Sequence, residues 1–445
     1  MSRATATAVP PDLADRIQRL TLVDVVDIAL RNNPATRASW AQARASAALL
    51  GSARGAYYPT IGGSATLSRI QSPATGTRAA GQRTEYGPSA NLNYLLFDFG
   101  GRSGSVERAR QSLFAANLSH NANLQNTVLI AEAAYFTYMA TAALVGAEHS
   151  AIAEAQANLT AAQRRYNVGL ATIADVLQAR TALSQEQLNL ETTQGNLQAA
   201  RGSLAAALGL PANLPFDLAA TPQMAPIGAI TESVDSVINA ALRNRPDLAA
   251  ARAQAAAAAA QVRVTRAAEL PALSLTSNAA RTFSSPQLFA GPSYSVNLGL
   301  SIPIFNGFSH QYDVAAAKAQ AEAISALADQ TRQQVVSQVF VSYYTLQTAG
   351  QRVATADDLL ASAQQSVKVA AGRYREGVGS IIDLLTAQTA LANARAQQVQ
   401  TRWQWYTSLA QLARDAGVLG VRGDTPFSLS ADSVATPALR DTVRP

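Results

Sequence analysis

The segment RYNVGLATIADVLQARTAL at Arg165–Leu183 decides the fold, because the chain contains it twice. Its second copy is RYREGVGSIIDLLTAQTAL at Arg373–Leu391, and ten of the nineteen aligned positions are identical. Upstream, the motif ALRNNP at Ala29–Pro34 recurs as ALRNRP at Ala241–Pro246. Motifs that recur in the same order indicate an internal duplication. The two halves of the chain are therefore predicted to share one structural plan.

Proline positions show which parts of each half can be helical, because proline is excluded from helix interiors. The long proline-free intervals are 88–211 and 303–426, and the short ones are 34–59 and 246–271. Each half is therefore predicted to contain a short helix, an irregular or strand segment, and then a very long helical hairpin.

Each long hairpin is predicted to turn at glycine, at 168–171 in the first half and 377–380 in the second. Before the second turn, apolar and small residues from Leu346 to Tyr374 are spaced alternately by three and four, which is typical of a coiled-coil seam. A helix from Arg102 to Asn167 would be about 100 Å long, far more than a compact domain can hold.

The predicted organisation follows from these boundaries. It comprises an N-terminal extension at 1–20, a first repeat at 21–210, a linker at 211–230, a second repeat at 231–418 and a tail at 419–445. Strands are expected at about 59–70, 88–98, 271–281 and 293–305, and long hairpins at 102–209 and 309–418. Thr21 and Ser233 are the expected N-caps of the short helices. Segments 71–87 and 284–292 are expected to be loops between the strands, and the linker and tail to pack around the middle of the long hairpins.

The predicted strands alternate between apolar and small polar residues. The residues expected to face lipid are Leu92, Tyr94, Leu96, Leu298, Leu300 and Ile302. Strands of this kind are typical of outer-membrane barrels, although an ordinary half-buried sheet packed on helices has the same pattern. Four strands cannot close a barrel in lipid, whereas three chains would supply twelve. The membrane interpretation therefore predicts a homotrimer.

Composition excludes several other classes of protein. The chain has no cysteine, which excludes disulfides, thiolate metal sites and cysteine nucleophiles. Its net charge is +6, but the basic residues are spread along the chain and form no basic face, so no nucleic acid partner is expected. Three scattered histidines predict no catalytic, metal or cofactor site. Neither a signal peptide within residues 1–20 nor a transmembrane helix is expected.

Several motifs together resemble the TolC-type outer-membrane efflux factors. They are the tandem halves, the ALRNxP motif, the corners FDFGG at Phe97–Gly101 and IFNG at Ile304–Gly307, and the RYxxG turns. The resemblance covers about residues 20–418. It implies a membrane α+β fold in which each chain gives four strands to a 12-stranded trimeric β-barrel, continuous with a long α-helical coiled-coil tunnel in the periplasm.

The resemblance also implies a function and partners. The trimer would be the passive exit duct of a tripartite efflux or type I secretion system in the outer membrane of a Gram-negative bacterium. It would open at its periplasmic tip when a periplasmic adaptor (membrane fusion) protein and an inner-membrane RND or ABC-type pump dock, and outer-membrane lipid would surround the barrel. The resemblance does not identify the exported substrate. It also does not decide whether the native N-terminus is lipidated.

Two sets of site residues follow from the same resemblance. The implied pore gate consists of Asp383, Ile382, Leu385, Tyr374 and Asp175. The implied adaptor-docking residues are Val168, Gly169, Leu170, Gly377, Val378 and Gly379.

For both sets, simpler interpretations remain open. The docking residues are also good turn residues, and Asp383 also suits a helix start. Thr386 and Gly379 depart from the family's gate pattern. Two interpretations are therefore open: the gate closes less tightly, or it is closed mainly by Ile382 and Leu385. The alternative function is a non-pore extended coiled-coil scaffold or adhesin.

Overall fold

The computed structural model describes residues 19–73, 81–219, 227–228, 230–285 and 290–419. The N-terminal extension and the tail lie outside these ranges, except for residues 19, 20 and 419. Parts of the linker and of the two expected loops, at 220–226, 229, 74–80 and 286–289, also lie outside them.

The described elements repeat the same series in each half. The first half contains α1 (Leu22–Asn32), α2 (Pro34–Gly55), β1 (Thr60–Ser72), β2 (Gly81–Phe97), α3 (Gly101–Asn167) and α4 (Ile173–Ala207). The second half contains α5 (Val234–Asn244), α6 (Pro246–Ala267), β3 (Ala272–Ser285), β4 (Ala290–Ser301), α7 (Ser309–Arg375) and α8 (Ile381–Asp415). Helices α3 and α7 both have 67 residues, and α4 and α8 both have 35.

Each half has two helices before its strands, where the sequence predicts one short helix. Helices α2 and α6, of 22 residues each, begin at Pro34 and Pro246. Proline is tolerated in the first turn of a helix, where its missing N–H would have no intrahelical acceptor. Asn33 and Arg245, just before the prolines, are extended and end the preceding helices.

Several strand boundaries also differ from the predicted ones. Strand β3 runs to Ser285, not 281, and β4 begins at Ala290, not 293. Strand β2 begins at Gly81, not near 88, and Pro88 lies within it. The ladder between β2 and β3 has no pair at Gly87 or Pro88, so the missing N–H of the proline breaks no bond there. Strand β4 ends at Ser301, so Ile302 lies just beyond it.

Polar caps begin several helices. Thr21 accepts a hydrogen bond from the backbone N–H of Asp24 in a capping box at the start of α1. Ser233 caps α5 in the corresponding place of the second half. These caps fix where the first helix of each half starts.

The chain folds as two compact units. The first contains 19–39, 120–246 and 332–419 of the described residues, and the second contains 40–119 and 247–331, with the gaps given above. The second unit holds one antiparallel sheet in the order β1-β2-β3-β4. In the described chain β1 and β4 each have one neighbouring strand, so both are edge strands.

The first unit has a core at the corners that precede α2 and α6. Its buried cluster contains Leu20, Val25, Ile28, Ala29, Ala131, Tyr135, Phe136, Leu204, Ala205, Leu208, Phe216 and Ala410. Gly209 follows α4 with a φ of +70°, and a Cβ there would lie 2.8 Å from the backbone oxygen of Asn32. Gly417 follows α8 with a φ of +77°, and a Cβ there would lie 2.8 Å from the backbone nitrogen of Arg245. Glycine is therefore needed for both close approaches.

The second of these corners contains a buried ion pair. Arg245 lies 3.6 Å from Asp415, and both side chains are only 3% exposed. Arg245 also donates to Gln338 at 2.7 Å, and Asp415 accepts from Arg414 at 2.9 Å. The pair fixes α8 to the end of α5.

Helix α3 contains one 18-residue window with a mean hydropathy of 1.6, of which 22% is buried. By length and composition that window could cross a membrane, contrary to the sequence-based expectation. Alanine-rich coiled-coil helices pass the same test because their packing faces are apolar.

Candidate functional site

The two hairpin turns need glycine in a left-handed conformation. Gly169 and Gly377 have φ values of +77° and +79°. Leu170 N donates to Arg165 O at 2.8 Å, and Val378 N donates to Arg373 O at 3.0 Å, as in Schellman helix ends. The two turns are therefore built alike, in line with their shared motif.

Glycine is required at position 379 for a different reason, the lack of space for a side chain. Its φ is not in the left-handed region, but a Cβ there would lie 2.9 Å from Arg373 Cβ and 3.2 Å from Tyr374 N. Larger residues at this position would push α8 away from the last turn of α7.

The turns also present apolar side chains to solvent. Val168, Leu170 and Val378 are 69%, 68% and 68% exposed. Large exposed apolar residues that cluster on a surface mark interaction sites more often than isolated ones do. These side chains are therefore the structural basis for the expected docking site.

The two predicted gate carboxylates, Asp175 and Asp383, are both N3 residues of helices. Asp175 accepts from Thr172 N at 2.9 Å, and Asp383 accepts from Ser380 N at 3.4 Å. Each belongs to a capping box. The partial positive charge at the N-terminal end of a helix also stabilises a carboxylate at this position. Both aspartates thus have a local structural role, and the exposed Asp383 also lines a groove between α7 and α8.

The remaining gate residues have different environments. Tyr374 is buried and packs with Ile381, Leu384 and the half-buried Leu385. Ile382 is 55% exposed. The structure brings Tyr374 and Leu385 together but leaves Ile382 on the outside of this cluster.

Tyr374 and Asp175 interact electrostatically without a hydrogen bond between them. The Tyr374 hydroxyl is buried and has no hydrogen-bond partner in the described structure. Burial raises the pKa of Tyr374, Arg165 opposes this change, and the charge of Asp175 adds to it. These two predicted gate residues therefore form no direct hydrogen bond in the described structure.

Sequence reasoning missed Arg165, which links the two hairpin turns. Its Nη1 donates to the carbonyl oxygens of Tyr374 at 2.9 Å and of Arg375 at 3.2 Å. Its guanidinium carbon lies 4.9 Å from the centre of the Tyr374 ring, which is a cation–π distance. The arginine that opens the RYxxG motif in both repeats was the available signal.

The sheet has one apolar and one polar face. The register places Ile61, Leu92 and Val296 in one cross-strand row and Tyr94, Leu275 and Leu298 in the next. Rows of the opposite face contain Asn91, Asn278 and Ser295, then Asn93, Thr276 and Asn297. Leu298, Leu300 and Ile302 are 66%, 61% and 54% exposed. The apolar face of β4 is therefore uncovered in a single chain.

A bulge changes the pattern at the end of β2. The register with β3 shifts between Leu95 and Phe97, so Leu96 has no partner there. Phe97, not Leu96, continues the apolar row with Leu273 and Leu300. Simple alternation could not predict this change, because a bulge adds one residue to one strand.

Aromatic residues follow the sheet at both strand-to-helix corners. Phe97 and Phe99 form an edge-to-face pair with ring centres 4.7 Å apart, and Phe305 and Phe308 form another at 5.2 Å. All four are more than half exposed. Aromatic girdles mark the membrane interfaces of outer-membrane barrels. Sequence reasoning used these corners as motifs and missed this property.

Polar partners account for two of the three histidines. His310 Nε2 lies 3.2 Å from Glu269 Oε2, and His120 Nδ1 lies 2.8 Å from the Ser39 hydroxyl. Among the described residues, no group of three or more histidine, cysteine or acidic side chains is arranged to hold a metal ion.

Comparison with known proteins gives a consistent result. The family model described as outer membrane efflux protein matches residues 25–210 and 237–418. Protein CyaE of Bordetella pertussis is 33% identical over 425 residues, which cover 94% of this chain and 88% of CyaE. The outer membrane efflux protein BepC of Brucella suis is 26% identical, over 85% of this chain and 81% of BepC. The solved structure of the outer-membrane channel OprN has a TM-score of 0.79 at 23% identity and covers 89% of each chain.

These findings agree with the fold and with the expected function. The four-stranded sheet and the long hairpins are those of outer-membrane channels, and nothing supports a scaffold or adhesin. The protein is located in the outer membrane of a Gram-negative bacterium, where it acts in efflux. With both of its halves matched, the chain belongs to the outer membrane efflux protein family.

Proposed function

We propose that three copies of the chain form the passive exit duct of a tripartite efflux or type I secretion system. Their sheets close a 12-stranded barrel in outer-membrane lipid, and their long hairpins form a periplasmic tunnel. A periplasmic adaptor and an inner-membrane pump of the RND or ABC type open the tunnel at its tip. The duct itself is not an enzyme, because it only conducts what the pump selects.

The sheet is the observation that carries this proposal. Its edge strands β1 and β4 have 13 and 12 residues, enough to span the hydrocarbon core, which needs about 9–11. Open sheet edges do not occur in lipid, because each unpaired backbone group costs several kcal/mol there. Three sheets joined edge to edge satisfy both edges and turn the exposed apolar face of β4 to lipid.

The polar face then lines the pore. It carries asparagine, serine, threonine and glycine, which hydrate well and leave room for a solute. None of these residue types carries a charge, and the two charged residues further along the same face of β2, Arg83 and Glu85, pair with each other at 2.5 Å. This composition supports a duct without substrate specificity of its own.

We place the gate at the turns, with three copies of Asp383 around the narrowest point. A ring of carboxylates favours cations. Asp383 also caps α8. A variant that loses its charge could therefore change the ion selectivity by destabilising the start of α8, and not by removing a charge from the pore. Ser380→Ala removes the capping hydroxyl but keeps the charge, and is therefore the matched control.

Single-channel conductance in planar bilayers tests the proposal, with the mass of the detergent-solubilised protein measured in parallel. Asp383→Asn should reduce cation selectivity, while Ser380→Ala and Asp358→Ala, an exposed aspartate further along α7, should leave it unchanged. Equal selectivity in all variants would remove Asp383 from the gate but keep the duct. A monomeric protein that never conducts would refute the duct.

Docking is tested separately at the exposed apolar turn residues. Leu170→Asp and Val378→Asp should stop export in cells while the purified variants keep their trimeric mass and conductance. Gly169 and Gly377 are poor test positions, because any other residue there strains the turn itself. Normal export by both aspartate variants would show that the adaptor binds elsewhere.

A further inference from the structure

The charged residues of the sheet are divided between its two faces. The described strands contain Arg69, Arg83, Glu85 and Arg281 as their charged residues, all in the half of the sheet that is further from the helices. Arg83 and Glu85 lie on the polar face, where they pair with each other. Arg69 on β1 and Arg281 on β3 lie on the apolar face, and the described strands have no carboxylate there. The apolar face thus carries a net positive charge at this end.

The two arginines are repeat counterparts. Their numbers differ by 212, the offset that also relates Pro59 to Pro271. When the 13 residues of β1 are compared with residues 272–284, only this arginine and the final serine are identical. The two halves therefore differ almost everywhere along these strands but have the same cation at the same place.

Each arginine follows an uncharged part of its strand. The preceding residues of the same face are Ile61, Gly63, Ala65 and Leu67 on β1, and Leu273, Leu275, Ser277 and Ala279 on β3. A lipid-facing arginine is costly at the bilayer midplane and costs several times less near the interface. In the proposed barrel, both arginines therefore lie where the hydrocarbon ends and the headgroups of the outer leaflet begin.

Aromatic residues occupy the same level of the sheet. The guanidinium carbon of Arg281 lies 5.4 Å from the centre of the Phe283 ring, which is a cation–π distance. The Phe283 ring stacks on that of Tyr86, with centres 5.5 Å apart. Tyr294, on the same face of β4, is 87% exposed. Aromatic girdles mark the membrane interfaces of outer-membrane barrels, so this level suits an outer interface.

We propose that Arg69 and Arg281 bind the phosphate groups of a phosphorylated glycolipid in the outer leaflet of the outer membrane. The inference rests on the proposed duct, because only a barrel in lipid turns this face to the membrane. Three chains would present six such arginines around the barrel.

The register is consistent with a ring at one height. The residue of β3 in the same cross-strand row as Arg69 is Ser285, and Arg281 lies four residues nearer the helices. A closed barrel requires a stagger between its strands. If rotation about the barrel axis relates the two halves, repeat counterparts such as these arginines lie at the same depth in the membrane.

The chemistry of both side chains suits a phosphate. A guanidinium group has five N–H donors in one plane and binds phosphate in a bidentate manner. Arg69 Nη2 donates to Gln82 Oε1 at 3.0 Å, which uses one of these donors. Arg281 contacts the Phe283 ring, and stacking on a ring leaves the edge of the guanidinium for a ligand. Because this face has no carboxylate in the described strands, a divalent cation has no acidic ligand there to bridge it to a phosphate.

Native mass spectrometry of the detergent-solubilised protein tests the proposal, with lipid A that carries two phosphates as the probe. Arg69→Gln combined with Arg281→Gln should lower the affinity about tenfold or more, because charge-assisted hydrogen bonds are lost. The double lysine variant should fall between this variant and the wild type, because lysine keeps the charge but not the bidentate geometry. Arg83→Gln combined with Arg352→Gln removes the same charge from the polar face and from α7, and should leave the affinity unchanged. An equal loss in this control would reduce the effect to net charge and overturn the proposal.

Changing the probe identifies the ligand with the wild-type protein alone. Lipid A with one phosphate should bind more weakly than lipid A with two, and fully dephosphorylated lipid A more weakly still. Inorganic phosphate in excess should not displace lipid A, and displacement would mean a site for free phosphate and not for a lipid. EDTA should leave the binding unchanged, and a loss would mean that a metal ion, not arginine, holds the phosphate.

The mass and conductance of the same preparations separate this inference from the proposed duct. If a trimeric, conducting protein binds lipid A equally well with and without its phosphates, the assignment of the arginines is wrong but the duct stands. If the protein is monomeric and never conducts, the duct is refuted and this inference with it.

Discussion

Ionisation of the Glu132 carboxyl group should destabilise the folded protein, so that the protein is less stable at neutral and higher pH than at acidic pH. Glu132 lies on α3, next to Ala131 and one turn from Tyr135 and Phe136, all of them buried. Burial raises its pKa from 4.5 to about 7, and no neighbouring cation opposes this change. The folded state therefore binds the proton more tightly than the unfolded chain does.

The size and sign of the effect follow from that difference. Stability should fall as the pH rises from about 4.5 to about 7, and should then stay level. Each pH unit of this interval costs about 1.4 kcal/mol. Over the whole interval this amounts to about 3.5 kcal/mol. Allowing for the part of the side chain that water still reaches reduces the expected loss to about 2–3 kcal/mol. Glu132→Gln removes the ionisation and should recover this amount at pH 8 but almost nothing at pH 4.5.

Thermal unfolding followed by tryptophan fluorescence measures the change, since the Trp403 ring lies 6.1 Å from that of Phe136. Glu132→Gln should raise the Tm by a few degrees at pH 8 relative to the wild type. Glu191→Gln, the same chemical change at an exposed site, should leave the Tm unchanged at both pH values. A lower Tm for Glu132→Gln at pH 8 would mean that the carboxylate is ionised and paired, which would refute the reasoning from burial.

Three further predictions concern the fold and the sheet. Arg245→Ala should lower the free energy of unfolding by about 1–3 kcal/mol in a denaturant titration, because it removes one of the two arginines beside the buried Asp415 and leaves only Arg414 there. Gly209→Ala should cost about 1–3 kcal/mol in the same titration, whereas Gly146→Ala, in a helix interior with open space around it, should be neutral or stabilising. Leu300→Arg should prevent insertion into lipid vesicles, at a cost of about 2–4 kcal/mol per copy, whereas Asn297→Arg on the opposite face should insert normally.

The parts of the fold that the sequence predicts are those decided by local chemistry. Gly169 and Gly377 sit in turns because only glycine adopts their φ values without strain. Thr21 and Ser233 begin helices because their side chains accept backbone hydrogen bonds. These effects act over a few residues, so a single sequence contains them in full.

The parts that the sequence does not predict depend on contacts with residues that are distant in sequence. Pro34 and Pro246 each begin the second helix of their half, and proline alone does not say whether a helix ends or starts there. Strand β2 starts at Gly81 because it pairs with β1, although its first residues have no apolar alternation. The bulge at Leu96 is likewise fixed by the register with β3.

The residues of the RYxxG motif at the two hairpin turns show the same difference between local and distant effects. The RYxxG motif gives Arg165 and Arg373 identical local settings, yet only Arg165 holds a helix end of another hairpin in the described chain. A sequence that contains one motif twice cannot by itself say which copy is covered from within the chain. The structure can, because Tyr166 is 45% exposed and Tyr374 is 6% exposed, so only the second hairpin is covered from within the described chain. In a duplicated protein, the differences between equivalent residues are therefore the most direct evidence for where its copies meet.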